Sequence, residues 1–224
     1  MAQSDRCDDP VLSDMKVLII NGSPKKKGCT YTALHEVEMI LNQEGIETVY
    51  VHVPTDCPSC MDCGYCHREH QGCIKKDVVN DTYQLLDECD GLLVGTPVYY
   101  AGPSGSLMSF LDRLFYSYPN KKSLHLKAAA SIANSRRAGS LTSNDVINKF
   151  FSISGMTIIT STYWNDTHGF LPEDVMKDEE GLQTMRNLGR NMAYYLKMRE
   201  MTKDKLEEPV VEKTYATHFI RKEI

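Results

Sequence analysis

A cluster of cysteines is the feature of this sequence with the clearest capacity for chemistry. Five of the eight cysteines fall within one short stretch of the chain. They are Cys57, Cys60, Cys63, Cys66 and Cys73. A loop that contains glycine and proline can turn such thiolates inward onto one centre, which indicates metal binding or redox chemistry rather than a disulfide framework. Zinc held by four thiolates, a [4Fe-4S] cluster and free thiols are all compatible with this spacing.

A second candidate site follows the first apolar run of the chain. In the segment 22–30, Gly22 and Gly28 flank three lysines, and Ser23 and Thr30 add hydroxyl groups. A buried strand, a flexible turn and the start of a helix can cradle a phosphate, because the first helical N–H groups face the ligand. The glycine motifs for nucleoside triphosphates and for dinucleotides are both absent. The segment therefore predicts a site for a single phosphate, and the alternative is an ordinary strand–helix turn with solvated lysines.

A third candidate site lies in the segment 96–105, which contains two prolines and two glycines around Tyr99 and Tyr100. The prolines stiffen the backbone, the glycines leave room, and either tyrosine can stack on a flat ring. Backbone N–H and C=O groups can bond the polar edge of such a ring. The segment therefore favours a planar ligand, and the alternative is that both tyrosines are surface residues of a turn.

Apolar periodicity predicts the elements that position these segments. The predicted strands are 16–21, 46–53, 91–95, 126–134 and 156–161, and the predicted helices are 29–42, 77–88, one that begins at 103–104, 144–152 and 179–199. Strands that alternate with helices predict a doubly wound α/β fold, with a parallel sheet in the order 2-1-3-4-5. Ligands bind such a sheet beyond strands 1 and 3, where the strand order reverses. The segments 22–30 and 96–105 leave those two strands, and the cysteine-rich loop, 54–76, leaves the neighbouring strand 2.

Composition narrows the class of protein. The 224 residues carry a net charge of −5, which argues against nucleic acid as the main partner. No apolar run approaches the roughly 20 residues of a membrane span. Residues 1–14 are polar and acidic rather than a signal peptide, so we expect a cytoplasmic protein. We predict a tail at 1–14, one domain at 15–200, and a tail or oligomerisation arm at 201–224.

Three short motifs resemble those of the NADPH-dependent FMN reductase family of the flavodoxin-like superfamily. They are Asn21-Gly22-Ser23-Pro24 with Gly28 and Thr30, then Thr96-Pro97-Val98-Tyr99-Tyr100, and then Phe110-Leu111-Asp112-Arg113. The compact cysteine motif after the second strand is similar to that of the iron–sulfur flavoprotein branch. The resemblance covers 16–200, leaves both tails outside, and implies a flavodoxin-like doubly wound five-stranded parallel sheet with helices on both faces.

The resemblance implies that FMN is bound non-covalently. The phosphate would bind Ser23, Lys25, Cys29 and Thr30, and the isoalloxazine would lie against Pro97, Val98, Tyr99, Tyr100 and Gly102, with Ser135, Arg136, Arg137 and Gly139 closing over one side. Two features depart from the family pattern. Cys29 stands where serine or asparagine is more usual, and the loop 135–140 carries two arginines and only one glycine. We expect Asp112 and Arg113 to be a structural pair rather than catalytic residues.

The resemblance also implies a ligand set and a reaction. The cysteine motif of the family is Cys-x2-Cys-x2-Cys followed by a fourth cysteine. Cys60, Cys63, Cys66 and Cys73 fit it as ligands of a [4Fe-4S] cluster, while Cys57 makes a second register possible. The expected function is an FMN-dependent oxidoreductase that transfers electrons between NAD(P)H or a ferredoxin-like donor and an acceptor, as a homodimer or homotetramer. A flavodoxin-like electron carrier and a zinc-stabilised interaction module on the same fold are the alternatives.

Overall fold

The computed structural model describes residues 15–217, and within them seven strands form one sheet. The strands are β1 (Lys16–Asn21), β2 (Glu47–His52), β3 (Gly91–Tyr99), β4 (Gly102–Pro103), β5 (Ala128–Ser135), β6 (Thr157–Ile158) and β7 (Asp166–His168). Five of them run parallel in the order β2-β1-β3-β5-β6. In the order of the predicted strands this is 2-1-3-4-5, which confirms the doubly wound α/β topology.

The predicted number of strands was wrong, because two short strands lie outside the predicted set. β4 contains two residues and pairs with the end of β3 in antiparallel direction. β7 contains three residues and pairs with the last part of β5, while β6 pairs with its first part. Strands this short carry too few residues for the alternating pattern that reveals a strand in a sequence.

Helices cover both faces of the sheet, as predicted. They are α1 (Cys29–Gln43), α2 (Tyr65–Glu69), α3 (Val78–Glu88), α4 (Gly105–Ser117), α5 (Ser140–Ile153), α6 (Pro172–Val175) and α7 (Glu179–Thr202), with a short 3-10 helix at Lys121–Leu124. Alternate residues of β1 enter two separate cores. Val17 and Ile19 pack with α1 and α7, whereas Leu18 and Ile20 pack with α3, α4 and α5. Among the helices of residues 15–217, none combines the length and the apolar character needed to cross a membrane.

Three predicted boundaries differ from the structure near the candidate sites. β3 continues four residues beyond the predicted strand and turns back as β4, so most of 96–105 is a hairpin. α5 begins at Ser140, four residues before the predicted start, and α2 lies inside the cysteine-rich loop. Of the predicted tails, 1–14 lies outside the described residues. In the other, 201–224, α7 ends at Thr202 and 203–217 contain no helix or strand.

Two glycines, near the carboxyl ends of the parallel strands, allow the chain to pack closely against helices. A Cβ atom on Gly22 would lie 2.8 Å from the Cβ of Leu107 on α4. A Cβ atom on Gly95 would lie 2.7 Å from the Cδ1 and 2.8 Å from the Cγ of Leu34 on α1. Real Cβ contacts are longer than this, so any larger residue forces a helix or a buried leucine to move. Both positions therefore require glycine for packing rather than for an unusual backbone angle.

This packing leads to a prediction about stability. We expect Gly95→Ala to lower the free energy of unfolding by about 1–3 kcal/mol, the usual cost of overpacking a core. Gly105→Ala is the matched control, since a Cβ there meets no atom within 4 Å. It should leave stability unchanged or raise it by up to about 1 kcal/mol. Urea denaturation followed by circular dichroism measures both, and equal stabilities of the two variants would contradict the packing argument.

Candidate functional site

The loop after β1 is folded into a tight turn by the side chain of Asn21. The Ser23 N–H donates to Asn21 Oδ1 over 3.0 Å, and Asn21 Nδ2 donates to the carbonyl of Lys26 over 3.3 Å. Ser23 Oγ in turn accepts the N–H of Lys25 over 3.2 Å. These bonds hold 22–28 as a compact curl at the carboxyl end of β1. We call residues 22–30, from this curl to the first turn of α1, the phosphate cradle.

The first turn of α1 has the free polar groups that an anion needs. Gly28 is the N-cap residue and supplies no side-chain bond to the helical N–H groups. Thr30 is buried, and its Oγ1 has no hydrogen-bond partner among residues 15–217. Burial raises the pKa of the Cys29 thiol, which keeps that side chain uncharged beside the helix end. Lys25 is exposed. The cradle therefore offers N–H groups, a hydroxyl and a nearby cation to a phosphate.

The hairpin formed by β3 and β4 stands beside the phosphate cradle. Val98 pairs with Pro103 and Tyr99 with Gly102, which leaves Tyr100 at the turn with a positive φ of 43°. Tyr99 is half-exposed and Tyr100 is fully exposed. Both aromatic rings are therefore accessible to a planar ligand at this edge.

One buried hydrogen bond joins the hairpin to the cradle. Ser104 caps α4 by accepting the N–H of Leu107, and its hydroxyl also donates to the carbonyl of Gly22 over 2.6 Å. Its own N–H donates to Thr96 Oγ1 over 3.1 Å. The two loops predicted to hold a phosphate and a ring thus meet at the start of α4, where the strand order reverses.

The loop after β5 borders the hairpin from the other side. A Cβ atom on Gly139 would lie 2.8 Å from Val98 Cγ1, and Gly139 has a φ of 95°, which favours glycine. Ser135 is buried, and its Oγ has no partner within the described chain. Arg136 and Arg137 are exposed. Of this predicted group, Gly139 approaches the hairpin, and neither Arg136 nor Arg137 forms a hydrogen bond or ion pair with the hairpin within residues 15–217.

The four cysteines of the family motif come together. Cys60, Cys63, Cys66 and Cys73 line one small open hollow, beside Arg113, Tyr116 and Ser117 of α4. All four are free thiols, the first two exposed and the others half-buried. Cys57 is 8% exposed and packs in the core with Val53 and Val79, so it does not line this hollow, which we call the cysteine hollow. Its position favours the register that begins at Cys60.

The four thiols of the cysteine hollow do not form a metal-binding group in this structure. Within residues 15–217, no three His, Cys, Asp or Glu side chains lie close enough to hold one metal ion. In a [4Fe-4S] cluster each thiolate binds a different iron, so the four sulfur atoms stay further apart than around one zinc ion. Four thiols are the donor set that such a cluster uses.

Several hydrogen bonds between side chains and backbone groups shape the loop around the hollow. Lys75 Nζ donates to the carbonyl of Ser59 over 2.7 Å, and Arg68 Nη1 donates to the carbonyl of Cys63 over 2.9 Å. The N–H of Cys73 donates to the hydroxyl of Tyr83 on α3 over 3.0 Å. The loop is therefore held to itself and to α3, although most of it has no regular secondary structure.

The expected structural pair of Asp112 and Arg113 is wrong in the partner of Arg113. Arg113 is 1% exposed, and its ion pair is with Asp77 at 2.8 Å, not with the adjacent Asp112. Burial would lower the pKa of the guanidinium, but hydrogen bonds with Asp77 and Cys73 outweigh burial and raise it. Burial would raise the pKa of the Asp77 carboxyl, but bonds from Arg113 and Val79 hold it below its usual range. Both groups are therefore charged.

The cradle and the cysteine hollow lie beside different parts of α4. Ser104, which joins the cradle and the hairpin, precedes the first turn, and Arg113 follows it by nine residues. At 1.5 Å per residue these positions are about 13 Å apart along the helix axis. The cysteine hollow is therefore next to the middle of α4, whereas the cradle and the hairpin meet at its start.

Sequence reasoning missed three further positioning residues at the edge of the sheet. Asn21, Thr96 and Ser104 hold the loops through their side-chain hydrogen bonds. A signal was present for Asn21, because asparagine where a strand ends in a turn commonly bonds a backbone N–H two residues ahead. The bond of Ser104 spans 82 residues, so nothing local could reveal it.

Known proteins resemble the chain over most of its length. The family described as NADPH-dependent FMN reductase matches residues 15–170. An iron–sulfur flavoprotein of Methanocaldococcus jannaschii is 32% identical over 194 residues, which cover 82% of this chain and 98% of that protein. A second iron–sulfur flavoprotein of the same organism is 30% identical over 185 residues, which cover 77% and 92% of the two chains.

Solved structures show the same fold at low sequence identity. RosB with a bound intermediate aligns with a TM-score of 0.64 at 15% identity, covering 92% of this chain and 94% of that one. A flavodoxin from the domain Archaea aligns with a TM-score of 0.55 at 16% identity, covering 82% and 99%. The fold is thus flavodoxin-like. Together with the family match, this means that the chain belongs to the NADPH-dependent FMN reductase family of flavodoxin-like oxidoreductases, in its iron–sulfur flavoprotein branch.

Proposed function

We propose that this protein binds FMN and a [4Fe-4S] cluster, and that it transfers electrons between NAD(P)H or a ferredoxin-like donor and an acceptor. The observation that carries the proposal is the convergence of Cys60, Cys63, Cys66 and Cys73 on one hollow beside α4. Ser104, the N-cap residue of the same helix, joins the phosphate cradle to the hairpin. Two cofactor sites of the types used for electron transfer would therefore share one helix.

The groups of the cradle suit the phosphate of FMN. Ser23, Lys25 and Thr30 would bind it together with the N–H groups of the first turn of α1, and Cys29 would contribute its N–H rather than a charged thiolate. The buried hydroxyl of Thr30 has no other partner among the described residues, which supports this assignment. A single phosphate also agrees with the absence of the longer glycine motifs of dinucleotide sites.

The hairpin suits the isoalloxazine ring. Pro97, Val98, Tyr99, Tyr100 and Gly102 would form one wall, while Ser135, Arg136, Arg137 and Gly139 would close over one side. Hydrogen bonds from backbone N–H groups and positive charge from the arginines would stabilise the anionic reduced ring. FMN, when bound, supplies the conversion between two-electron and one-electron transfer, and the protein supplies position and electrostatics.

The exposure of Tyr99 and Tyr100 affects which electron donors could reach a bound ring. An open hairpin leaves one face of a bound ring accessible, so a nicotinamide could stack on it without a dinucleotide fold of its own. A ferredoxin-like protein would instead deliver single electrons to the cluster. We propose a cytoplasmic homodimer or homotetramer in which the ring lies near a subunit boundary. A flavodoxin-like carrier and a zinc-stabilised module remain as outcomes of the tests below.

The phosphate assignment predicts a selective loss of affinity. We expect Ser23→Asp to raise the Kd for FMN at least about a hundredfold, because it places a carboxylate beside a phosphate. Riboflavin lacks the phosphate, so its affinity should change less than about threefold. Quenching of flavin fluorescence by the apoprotein measures both affinities. The control is Ser152→Asp on the exposed side of α5. Equal losses for FMN and riboflavin would mean that Ser23 does not face the phosphate.

The ligand assignment predicts which cysteines retain iron. In protein purified without air, Cys73→Ala should lose at least about nine-tenths of its iron and acid-labile sulfide, because a cluster needs its fourth thiolate. Cys89→Ala is the matched control, since it removes a buried thiol at the end of α3 that does not line the cysteine hollow. It should retain both. If metal analysis finds zinc instead of iron in the wild-type protein, the cluster assignment is wrong and the zinc-stabilised module is supported.

The enzyme assignment predicts catalytic turnover. We expect the protein with bound FMN to oxidise NADPH or NADH repeatedly in the presence of an artificial quinone acceptor, at a rate on the order of 1 per second or faster. The Ser23→Asp variant, assayed at a concentration of FMN that leaves it empty, is the control. A wild-type protein that exchanges electrons with reduced ferredoxin but never turns over either nucleotide would be a carrier instead.

A further inference from the structure

The guanidinium of Arg113 links a predicted cluster ligand to a carboxylate. Nε and Nη2 each lie 3.4 Å from Cys73 Sγ. Nη1 and Nη2 donate to the two carboxylate oxygens of Asp77 over 2.8 and 3.0 Å. The carbonyls of Pro58 and Lys75 accept the remaining bonds over 3.3 and 3.2 Å. One edge of the planar group thus faces the thiol and the adjacent edge faces the carboxylate.

The burial of Arg113 restricts which groups can surround its guanidinium. Arg113 is 1% exposed, so its charge is screened by protein groups rather than by water. A buried arginine is stable only when its donors are satisfied and its charge is compensated. Asp77 compensates the charge, and it also caps α3 by accepting the N–H of Val79 over 3.0 Å. The carboxylate therefore fixes the guanidinium against the cysteine hollow.

We propose that Arg113 is a positioning residue for the cysteine centre. It fixes Cys73 as the fourth ligand through two hydrogen bonds to the sulfur, and it raises the reduction potential of the bound cluster. This inference rests on the proposed function, because it takes the four thiols to be cluster ligands. It assigns to the third motif of the sequence a role in redox tuning, which a purely structural pair would not have.

The direction of the effect follows from charge. Reduction adds one electron to a cluster, supplied by the external donor, and part of the added negative charge resides on the ligating sulfurs. Hydrogen bonds to those sulfurs and a nearby positive charge stabilise the reduced state, so they raise the potential. The carboxylate of Asp77 opposes this effect. Substitutions of Arg113 and of Asp77 should therefore shift the potential in opposite directions.

The test uses the full chain with FMN bound, purified without air. The reduction midpoint potential of the cluster is read by electron paramagnetic resonance in a potentiometric titration, and iron and sulfide are quantified in parallel. Arg113→Lys keeps the charge but loses the paired bonds, so we expect its reduction constant to fall at least tenfold, which is about 59 mV for one electron. Arg113→Met should shift the potential further in the same direction.

Asp77→Asn tests the opposing effect of the carboxylate on the cluster potential. Asparagine retains the N-cap of α3 but removes the negative charge, so the potential should rise. Arg186→Met is the matched control. Arg186 pairs with Glu36 between α7 and α1, on the opposite face of the sheet from the cysteine loop. Its loss should leave the cluster potential unchanged.

The outcomes separate this inference from the proposed function. Arg113 variants that keep their iron and the wild-type potential would overturn the role of Arg113 and leave the cluster assignment intact. Iron lost from both Arg113 variants while FMN affinity and the circular dichroism spectrum stay native would support the positioning of Cys73. Iron lost together with FMN binding and the native fold would overturn a role specific to the cysteine centre. A wild-type protein without iron and sulfide would overturn the cluster assignment and this inference with it.

Discussion

The buried hydrogen bond from the Ser104 hydroxyl to the Gly22 carbonyl is the contact on which the site at the edge of the sheet depends. It joins the loop after β1 to the hairpin that extends β3, across 82 residues of sequence. Both loops leave adjacent parallel strands, so their approach is a consequence of the strand order. The hydrogen bond converts that approach into a fixed geometry, because the same serine caps α4 and Leu107 packs directly under Gly22.

Helix α4 connects this site to the cysteine loop. Its apolar residues pack against the sheet, and Arg113 is buried on the same helix with its charge directed at Asp77 and Cys73. A buried charge that bonds several groups at once tolerates little displacement, since each lost bond leaves a donor unsatisfied. The cysteine loop, which has little regular structure of its own, is therefore positioned by the helix that also positions the hairpin.

The sequence was informative where the signal is local. The apolar run of β1, the glycines of the cradle and the Asp77 cap of α3 each predict their element from a few adjacent residues, and the structure agrees. Short or distant features were not predictable. β4 is two residues long, and the partner of Arg113 lies 36 residues away on another helix. An arginine within an apolar helical pattern gives no indication of whether its side chain is buried until its counterion is known.

Charge distribution explains how an acidic chain can present a site for an anion. The net charge of −5 is an average over the whole sequence. Locally, the three lysines of segment 25–27 and the pair Arg136–Arg137 are exposed on loops that leave the carboxyl ends of β1 and β5. Exposed cations near one edge attract a phosphate over roughly a Debye length, while the acidic remainder of the surface disfavours polyanions. The same composition that argues against nucleic acid is thus compatible with a small phosphorylated ligand, because the field that such a ligand meets is set by the nearest loops.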